Sequence, residues 1–279
     1  MIEKERHIAI LGRREAFHGA AAGYHFGHDV VLLESDSFDV LIDHVQSGRA
    51  AYGVMAWENS LAGPVPGNQE RLRLSGLHAS SEILLSINLH LAGMAGTPLS
   101  ALREVHSHPM ALKQVSRFLR QHPWITAVEA SDTANAARKV AEKGDPSLAA
   151  VTGQAAIAQF GLALLQPNVE DRRGNQTRFL VLQKEPPSTE NPERILLTGQ
   201  PDGGLSSLSG PLAAMHAAGL KLRRLDSLPD PDGGWRYQLY LDFNVEGRMP
   251  WQAVQDWLSE QLPELRLLGV FPAGKTYIG

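Results

Sequence analysis

The chain of 279 residues contains no cysteine. Disulfides, thiol nucleophiles, iron–sulfur clusters and cysteine-based zinc sites are therefore excluded. Aromatic residues make up only 6% of the chain, and neither sign of charge dominates: 26 Lys and Arg stand against 30 Asp and Glu, a formal net charge of −4. That balance argues against a dedicated nucleic-acid binder, which carries a basic stripe. No apolar run approaches the ~20 residues of a membrane helix. The first ten residues, MIEKERHIAI, put charges where a secretory signal needs an apolar segment, so a cytoplasmic location is expected. Three cofactor and nucleotide signatures are also missing. No G-x-G-x-x-G follows the first strand-like run, and neither a Walker A loop nor H-E-x-x-H occurs. A nicotinamide enzyme, a P-loop NTPase and a zincin all lose support.

What is present is an alternation of short apolar runs and amphipathic helices, on a length that suggests about two domains. Residues 7–11 (HIAIL), 30–33 and 50–57 (AAYGVMAW) read as strands, with helical spacing between them at Phe17, Ala20, Ala21 and Tyr24, then at Phe38, Leu41, Ile42 and Val45. Ser37 is the expected N-cap of the second helix. This βαβαβ order predicts a parallel sheet with right-handed crossovers. A second α/β unit starts near residue 80. It has a strand over 83–91, one ending at His106, a helix over 110–121, a strand around Val128, a helix capped by Ser131 or Asp132, and strands over 148–151, 163–165 and 179–182. Residues 185–193 read as a linker, rich in proline and charge. The remaining segment, 194–279, reads βαββαβ, the ferredoxin-like split motif. Within it, residues 235–244 alternate apolar and polar positions strictly, and Pro250 opens a predicted helix.

In parallel sheets ligands bind beyond the carboxyl ends of the strands. Three polar clusters fall at such ends: Glu58-Asn59-Ser60, Ser107-His108-Pro109 and Thr152-Gly153-Gln154. Ser107 and Thr152 read equally well as helix caps. A Glu directly after an apolar strand is an odd cap, so Glu58 draws more attention. A fourth cluster, Asn175 through Phe179, reaches the same cleft if its strand returns antiparallel between the units; otherwise it is a loop with a surface Arg. His106 and His108 have H-x-H spacing, with no third ligand at metal-site spacing nearby, so no metal is expected. Arg13-Arg14 and Arg172-Arg173 are candidate carboxylate holders or plain surface charge.

Taken in order, these clusters resemble the prephenate dehydratase family. YGVMAWENSLAG (52–63) is similar to the family's ENS/ENT segment, and SHPMALKQ (107–114) to its S-H-P-x-x-x-x-Q segment. Ser131-Asp132-Thr133 with Ala136-Ala137 resembles its S-T-A-x-A-A helix start, though less closely. Asp171, Asn175 and Thr177-Arg178-Phe179 match its N-x-T-R-F signature, and the C-terminal segment resembles the ACT domain of the family. The resemblance implies an α/β fold of two doubly wound subdomains, like a type 2 periplasmic-binding protein, followed by an α+β ferredoxin-like ACT domain. It implies decarboxylating dehydration of prephenate to phenylpyruvate, in L-phenylalanine biosynthesis, without a cofactor. The subdomains it implies run over about 1–80 with 176–184 and about 81–175.

The residues carried over are Thr177 as the catalytic hydroxyl and Glu58 as an orienting group or alternative acid. Asn59, Ser60, Ser107, Gln114, Thr133, Thr152, Asn175, Arg178 and Phe179 follow as substrate contacts. L-Phenylalanine is the implied effector, at Leu208, Gly219, Lys221, Asp226 and Ser227, and a homodimer or homotetramer is the implied assembly. Two departures stand out. The family opens with G-P-x-G-[ST]-F-S, whereas this chain has GRREAFH (12–18), so that Arg13, Glu15, Ala16 and His18 replace the proline, a glycine and two hydroxyls. In the ACT segment, Leu228 stands where the family carries arginine. Arogenate dehydratase and a non-catalytic binding protein remain alternatives.

Overall fold

The computed structural model describes residues 7–186, 189, 192–200, 205–217, 219–230, 236–246, 256 and 266–278. The first five elements are β1 (His7–Leu11), α1 (Phe17–Phe26), β2 (Val31–Ser35), α2 (Phe38–Gln46) and β3 (Tyr52–Asn59). Both β2 and β3 pair with β1 in parallel. Alternation along the strands then sorts the core. Ile8, Ile10, Val54 and Ala56 pack with Ala21 and Ala22 of α1 on one face. Ala9, Met55 and Trp57 pack with Leu41, Ile42 and Val45 of α2 on the other. Because successive side chains of a strand point to opposite faces, an unbroken apolar run is what a strand covered on both sides requires. Ser37 caps α2 as expected, accepting from the Val40 amide.

Next come β4 (Gly63–Pro64), α3 (Asn68–Ser75), β5 (His78–Ser86), β6 (His90–Gly93), β7 (Glu104–Ser107), α4 (Pro109–Gln114), α5 (Ser116–Gln121), β8 (Thr126–Glu129), α6 (Thr133–Lys143), β9 (Leu148–Thr152), α7 (Gln154–Gln159), β10 (Ala163–Gln166) and β11 (Gln176–Gln183). The second sheet has the order β10-β6-β9-β7-β8. The strand expected over 83–91 is in fact two: β5 belongs to the first sheet, paired with β11, and β6 to the second. The boundary between the units therefore moves from residue 81 to the crossing after Ser86. A continuous apolar run hides such a crossing, since periodicity cannot tell one buried strand from two. The single helix expected over 110–121 breaks at Val115, and the Asp171 carboxylate accepts from the Arg117 amide at the start of α5.

The C-terminal strands are β12 (Arg194–Gly199), β13 (Leu220–Pro229), β14 (Tyr237–Val245), β15 (Arg266–Phe271) and β16 (Thr276–Ile278), with α8 (Ser209–Ala217) after β12. Their order β13-β14-β12-β15 is ferredoxin-like. The turn expected at 229–234 and the helix expected from Pro250 lie largely outside the described residues. The C-terminal strands form no separate sheet: β15 meets β5 at Gly269 opposite Ala79, and β16 adds to the same strand. A Cβ on Gly269 would come within 2.7 Å of Ala79, so only glycine lets the two strands close here. Among the described residues, no helix is long and apolar enough to cross a membrane.

Candidate active site

A cavity of about 770 Å³ opens between the two sheets. Its walls carry Arg13, Phe17 and His18 from the loop after β1 and the start of α1, and Gln114, Thr133 and Arg138 from the second unit. A Cβ on Gly153 would lie 3.1 Å from the Phe17 ring, so this glycine lets the two units approach beside the cavity. β11 runs antiparallel between β3 and β5, which puts its first residues beside the last residues of β3. Glu58 and Asn59, expected after the third strand, are its last two residues, because β11 extends the pairing to them.

Thr177 and Asn59 are opposite each other in the ladder and both line the cavity. The Asn59 Nδ2 donates to Asn175 Oδ1 at 2.7 Å and shares its second hydrogen between the Gln176 carbonyl and Thr177 Oγ1, both at 3.1 Å. Its Oδ1 accepts from the amides of Leu61 and Ala62, which fixes the orientation of the amide group. Asn175 Nδ2 donates to Gln114 Oε1 at 3.1 Å, carrying the chain of contacts into the second unit. Thr177 Oγ1 thus accepts from Asn59, and its own proton remains available to a ligand in the cavity. Phe179 also lines the cavity, edge-on to His18 with ring centroids 4.9 Å apart. Thr133 lines it at the start of α6, behind the Asp132 cap.

Arg178 and Glu58 face the other way. They form the next rung of the same ladder, and one step along a strand reverses the side chain. Arg178, 2% exposed, donates to Glu82 at 2.6 Å, to Glu58 at 3.1 Å and to Asp242 of β14. Glu58 also meets Arg223 and Arg224 of β13. Burial alone would raise the Glu58 carboxyl, but Arg178, Arg223 and Arg224 together hold it below its ordinary value. Burial pulls the Arg178 guanidinium down, yet Asp242 and Glu82 more than reverse this. Neither residue lines the cavity, so Glu58 as cleft acid and Arg178 as substrate contact are both corrected by the alternation of the strands.

Three further expected contacts are also displaced. Ser107 is fully buried and donates to the Val151 carbonyl at 2.6 Å, tying β7 to β9. Thr152 is equally buried and outside the lining, its Oγ1 without a partner among the described residues. Ser60 accepts from the Gln176 amide at 2.9 Å and so holds the start of β11. Asp171, part of the same motif, accepts from the Ser116 hydroxyl and the Arg117 amide at the start of α5. His106 pairs with Glu104, and His108 caps α4 through Nδ1, so the H-x-H pair is split.

Of the five C-terminal residues, Leu208 lies in the core under α8 and Gly219 turns with φ +81°. Lys221 pairs with Glu246 in solvent, and Ser227 is exposed. Asp226 is bound to Arg224 and Gln69, facing the first unit.

Sequence reasoning missed Arg138. It lines the cavity, accompanied by Asn135, to which it donates at 2.8 Å, and by Glu142 at 2.6 Å. The i, i+3 spacing of Asn135 and Arg138 behind the Asp132 cap was a legible signal of one wet helix face. Arg13 stands on the opposite unit, 3.6 Å from Glu34, whereas Arg14 is spent on the carbonyls of His28 and Val30. His18 has its Nε2 shut away from water without a partner among the described residues, and burial lowers its pKa to about 4. At neutral pH it is an uncharged imidazole on the cavity wall.

Residues 8–187 match the sequence profile described as prephenate dehydratase. The bifunctional chorismate mutase/prephenate dehydratase of Escherichia coli K12 is 30% identical over 276 residues, covering 95% of this chain and 70% of that protein. Arogenate dehydratase 5, chloroplastic, of Arabidopsis thaliana is 31% identical, covering 96% and 68%. A solved structure described as GqqA, a novel type of quorum quenching acylase, superposes with a TM-score of 0.85 at 30% identity, covering 96% and 98%. With the profile spanning well over half of the chain, this protein belongs to the prephenate dehydratase family of lyases.

Proposed function

We propose that the chain converts prephenate to phenylpyruvate in the cavity between the sheets, with Thr177 donating to the departing hydroxyl. The observation that carries this is the bond from Asn59 Nδ2 to Thr177 Oγ1, which leaves the threonine proton for the substrate. In the reaction the ring carboxylate leaves as carbon dioxide, and its bonding pair enters the ring. The carbon–oxygen bond breaks with its pair on oxygen, which takes a proton and departs as water. Aromatisation drives both events. A threonine is a poor acid in water, so its contribution is a pre-organised hydrogen bond to an oxygen that gains charge in the transition state. Solvent restores the proton. The pyruvyl carboxylate needs a cation, and Arg138 and Arg13 supply one from each unit. The ring carboxylate loses its charge on leaving, and the apolar lining of Phe179, Ile87 and Val65 suits that loss. Gln114, Thr133 and Asn175 are the remaining polar contacts we assign to the substrate.

We further propose three parts along the chain: a dehydratase region over 1–184, a linker over 185–193 and an ACT-type regulatory domain over 194–279. The four-strand order of the C-terminal segment supports the last. Among the described residues β13 is the outer strand of the sheet, and that edge suits a second copy, as in a homodimer or homotetramer with phenylalanine bound near Leu208, Gly219, Lys221, Asp226 and Ser227. Arogenate is the second reading of the substrate. Asp36 favours it, because a carboxylate on the cavity wall would receive an ammonium where prephenate has a keto group.

The test is formation of phenylpyruvate from prephenate by the purified chain, with and without phenylalanine. Turnover is expected, lowered by phenylalanine. Turnover insensitive to phenylalanine removes the regulatory assignment only. Phenylalanine formed from arogenate with prephenate untouched selects the second reading. Inertness towards both overturns the catalytic one, and an N-acyl amide is then the next substrate, because GqqA is described as an acylase.

A further inference from the structure

The same two strands that present Thr177 and Asn59 to the cavity present Arg178 and Glu58 to the C-terminal strands. We propose that Asp242 and Arg224 are positioning residues for Thr177, acting through Arg178 and Glu58; this rests on the catalytic reading of Thr177 given above.

Arg224 and Asp242 are opposite each other on β13 and β14. Asp242, 4% exposed, binds Arg178, and Arg224 binds Glu58. Arg178 also grips Glu82 of β5, the strand on the other side of β11. Glu82, 2% exposed, accepts in turn from Arg194 at 3.1 Å and from the Gly274 amide at 3.0 Å. The cluster is electrically balanced: Arg178, Arg194, Arg223 and Arg224 face Glu58, Glu82, Asp226 and Asp242. Removing one member of such a set leaves an uncompensated buried charge, and the backbone that holds it must relax. Here that backbone is the rung next to Thr177 and Asn59. A hydrogen-bond donor acts only in the right place, and a shift of about 1 Å at a reacting group costs up to about a hundredfold in rate. The C-terminal strands thereby take part in setting the cavity's hydroxyl.

Simple adhesion between two parts would affect stability alone; positioning predicts a kinetic split. The experiment compares the full-length chain with Asp242→Asn, and with Arg236→Ala as a control on an exposed residue of the same module. Asp242→Asn is expected to lower kcat about 10- to 100-fold with KM within about threefold. Amide hydrogen exchange over 176–179 and 57–59 should quicken at least about tenfold, while exchange over β7 and β9 is unchanged. Arg236→Ala should keep wild-type kcat. If Asp242→Asn does not fold, Arg224→Gln carries the same readouts from a less buried position. A folded variant with wild-type kcat, or with a raised KM alone, overturns the proposal, as does unchanged exchange over 176–179. If the wild-type chain does not turn over prephenate, the catalytic reading fails, and hydrogen exchange still judges the mechanical coupling.

Discussion

The two faces of the β3–β11 ladder differ in how they treat polarity. On the cavity face, Thr177, Asn59 and Asn175 are neutral and linked by single hydrogen bonds of 2.7–3.1 Å, with donors left over for a ligand. On the opposite face, Arg178, Glu58, Glu82 and Asp242 are charged, with 0–17% of their side chains exposed, and three carboxylates converge on one guanidinium. The cavity face keeps donors for a ligand, whereas the junction spends most of its charged groups on one another, with Arg178 Nη2 and Asp242 Oδ1 left without a hydrogen-bond partner among the described residues. The lesson is that one strand pair serves both ends, because its side chains alternate.

The largest effect that would break this comparison comes from the junction. Arg178→Met leaves Glu82 and Asp242 without their central cation and is expected to cost about 3–5 kcal/mol, read as a lowered urea midpoint. If the loss is under about 1 kcal/mol, the cluster is not what joins the strands. On the cavity face, Thr177→Val keeps the shape and removes the donor. It should reduce kcat about 10²- to 10³-fold with the melting temperature little changed. Near-wild-type turnover would remove the hydroxyl from the mechanism.

A third prediction concerns His18, which sits on the cavity wall with its pKa lowered to about 4 by burial. Between about pH 6.5 and pH 4 the unfolded chain holds a proton on this imidazole that the folded chain does not. Stability therefore falls as pH falls through that window, by at most about 3 kcal/mol. The difference between the pH–stability curves of wild type and His18→Gln isolates this contribution, and parallel curves would show that the imidazole is not shielded. The smallest effect is expected at Arg138→Ala. KM for prephenate should rise about tenfold, equivalent to about 1.4 kcal/mol, with kcat close to wild type. An unchanged KM would leave Arg13 as the sole cavity cation of this pair that meets the substrate.

The motifs led to the cleft but not to the direction of each side chain. Asn59, Gln114, Asn175, Thr177 and Phe179 line the cavity. Glu58 and Arg178, their immediate neighbours in sequence, point away, and no motif of consecutive letters distinguishes the two faces until the strand is known to include them. Arg138 escaped notice because its helix begins at a segment that matches the family only loosely. Ser107 and Thr152 were legible as polar residues at strand ends, yet both are shut inside the second sheet.

What the sequence determined by itself was the set of local structures. Apolar runs of strand length, helical spacing with Ser37 and either Ser131 or Asp132 as caps, and period-2 alternation over 235–244 needed no partner to be read, since each reflects the geometry of a few neighbouring residues; the structure then took Asp132 as the cap and buried Gln238, Tyr240 and Asp242, the face expected to be wet. The tertiary structure decided where the chain crosses from one sheet to the other, that β15 and β16 extend the first sheet through β5, and that Arg178 belongs to the junction. These depend on contacts between residues 64 to 192 positions apart, such as Arg178 with Asp242 and Gly274 with Glu82. Burial makes such contacts selective: an unpaired charge in the interior is too costly to leave alone, and its partner is whichever opposite charge the fold brings within reach.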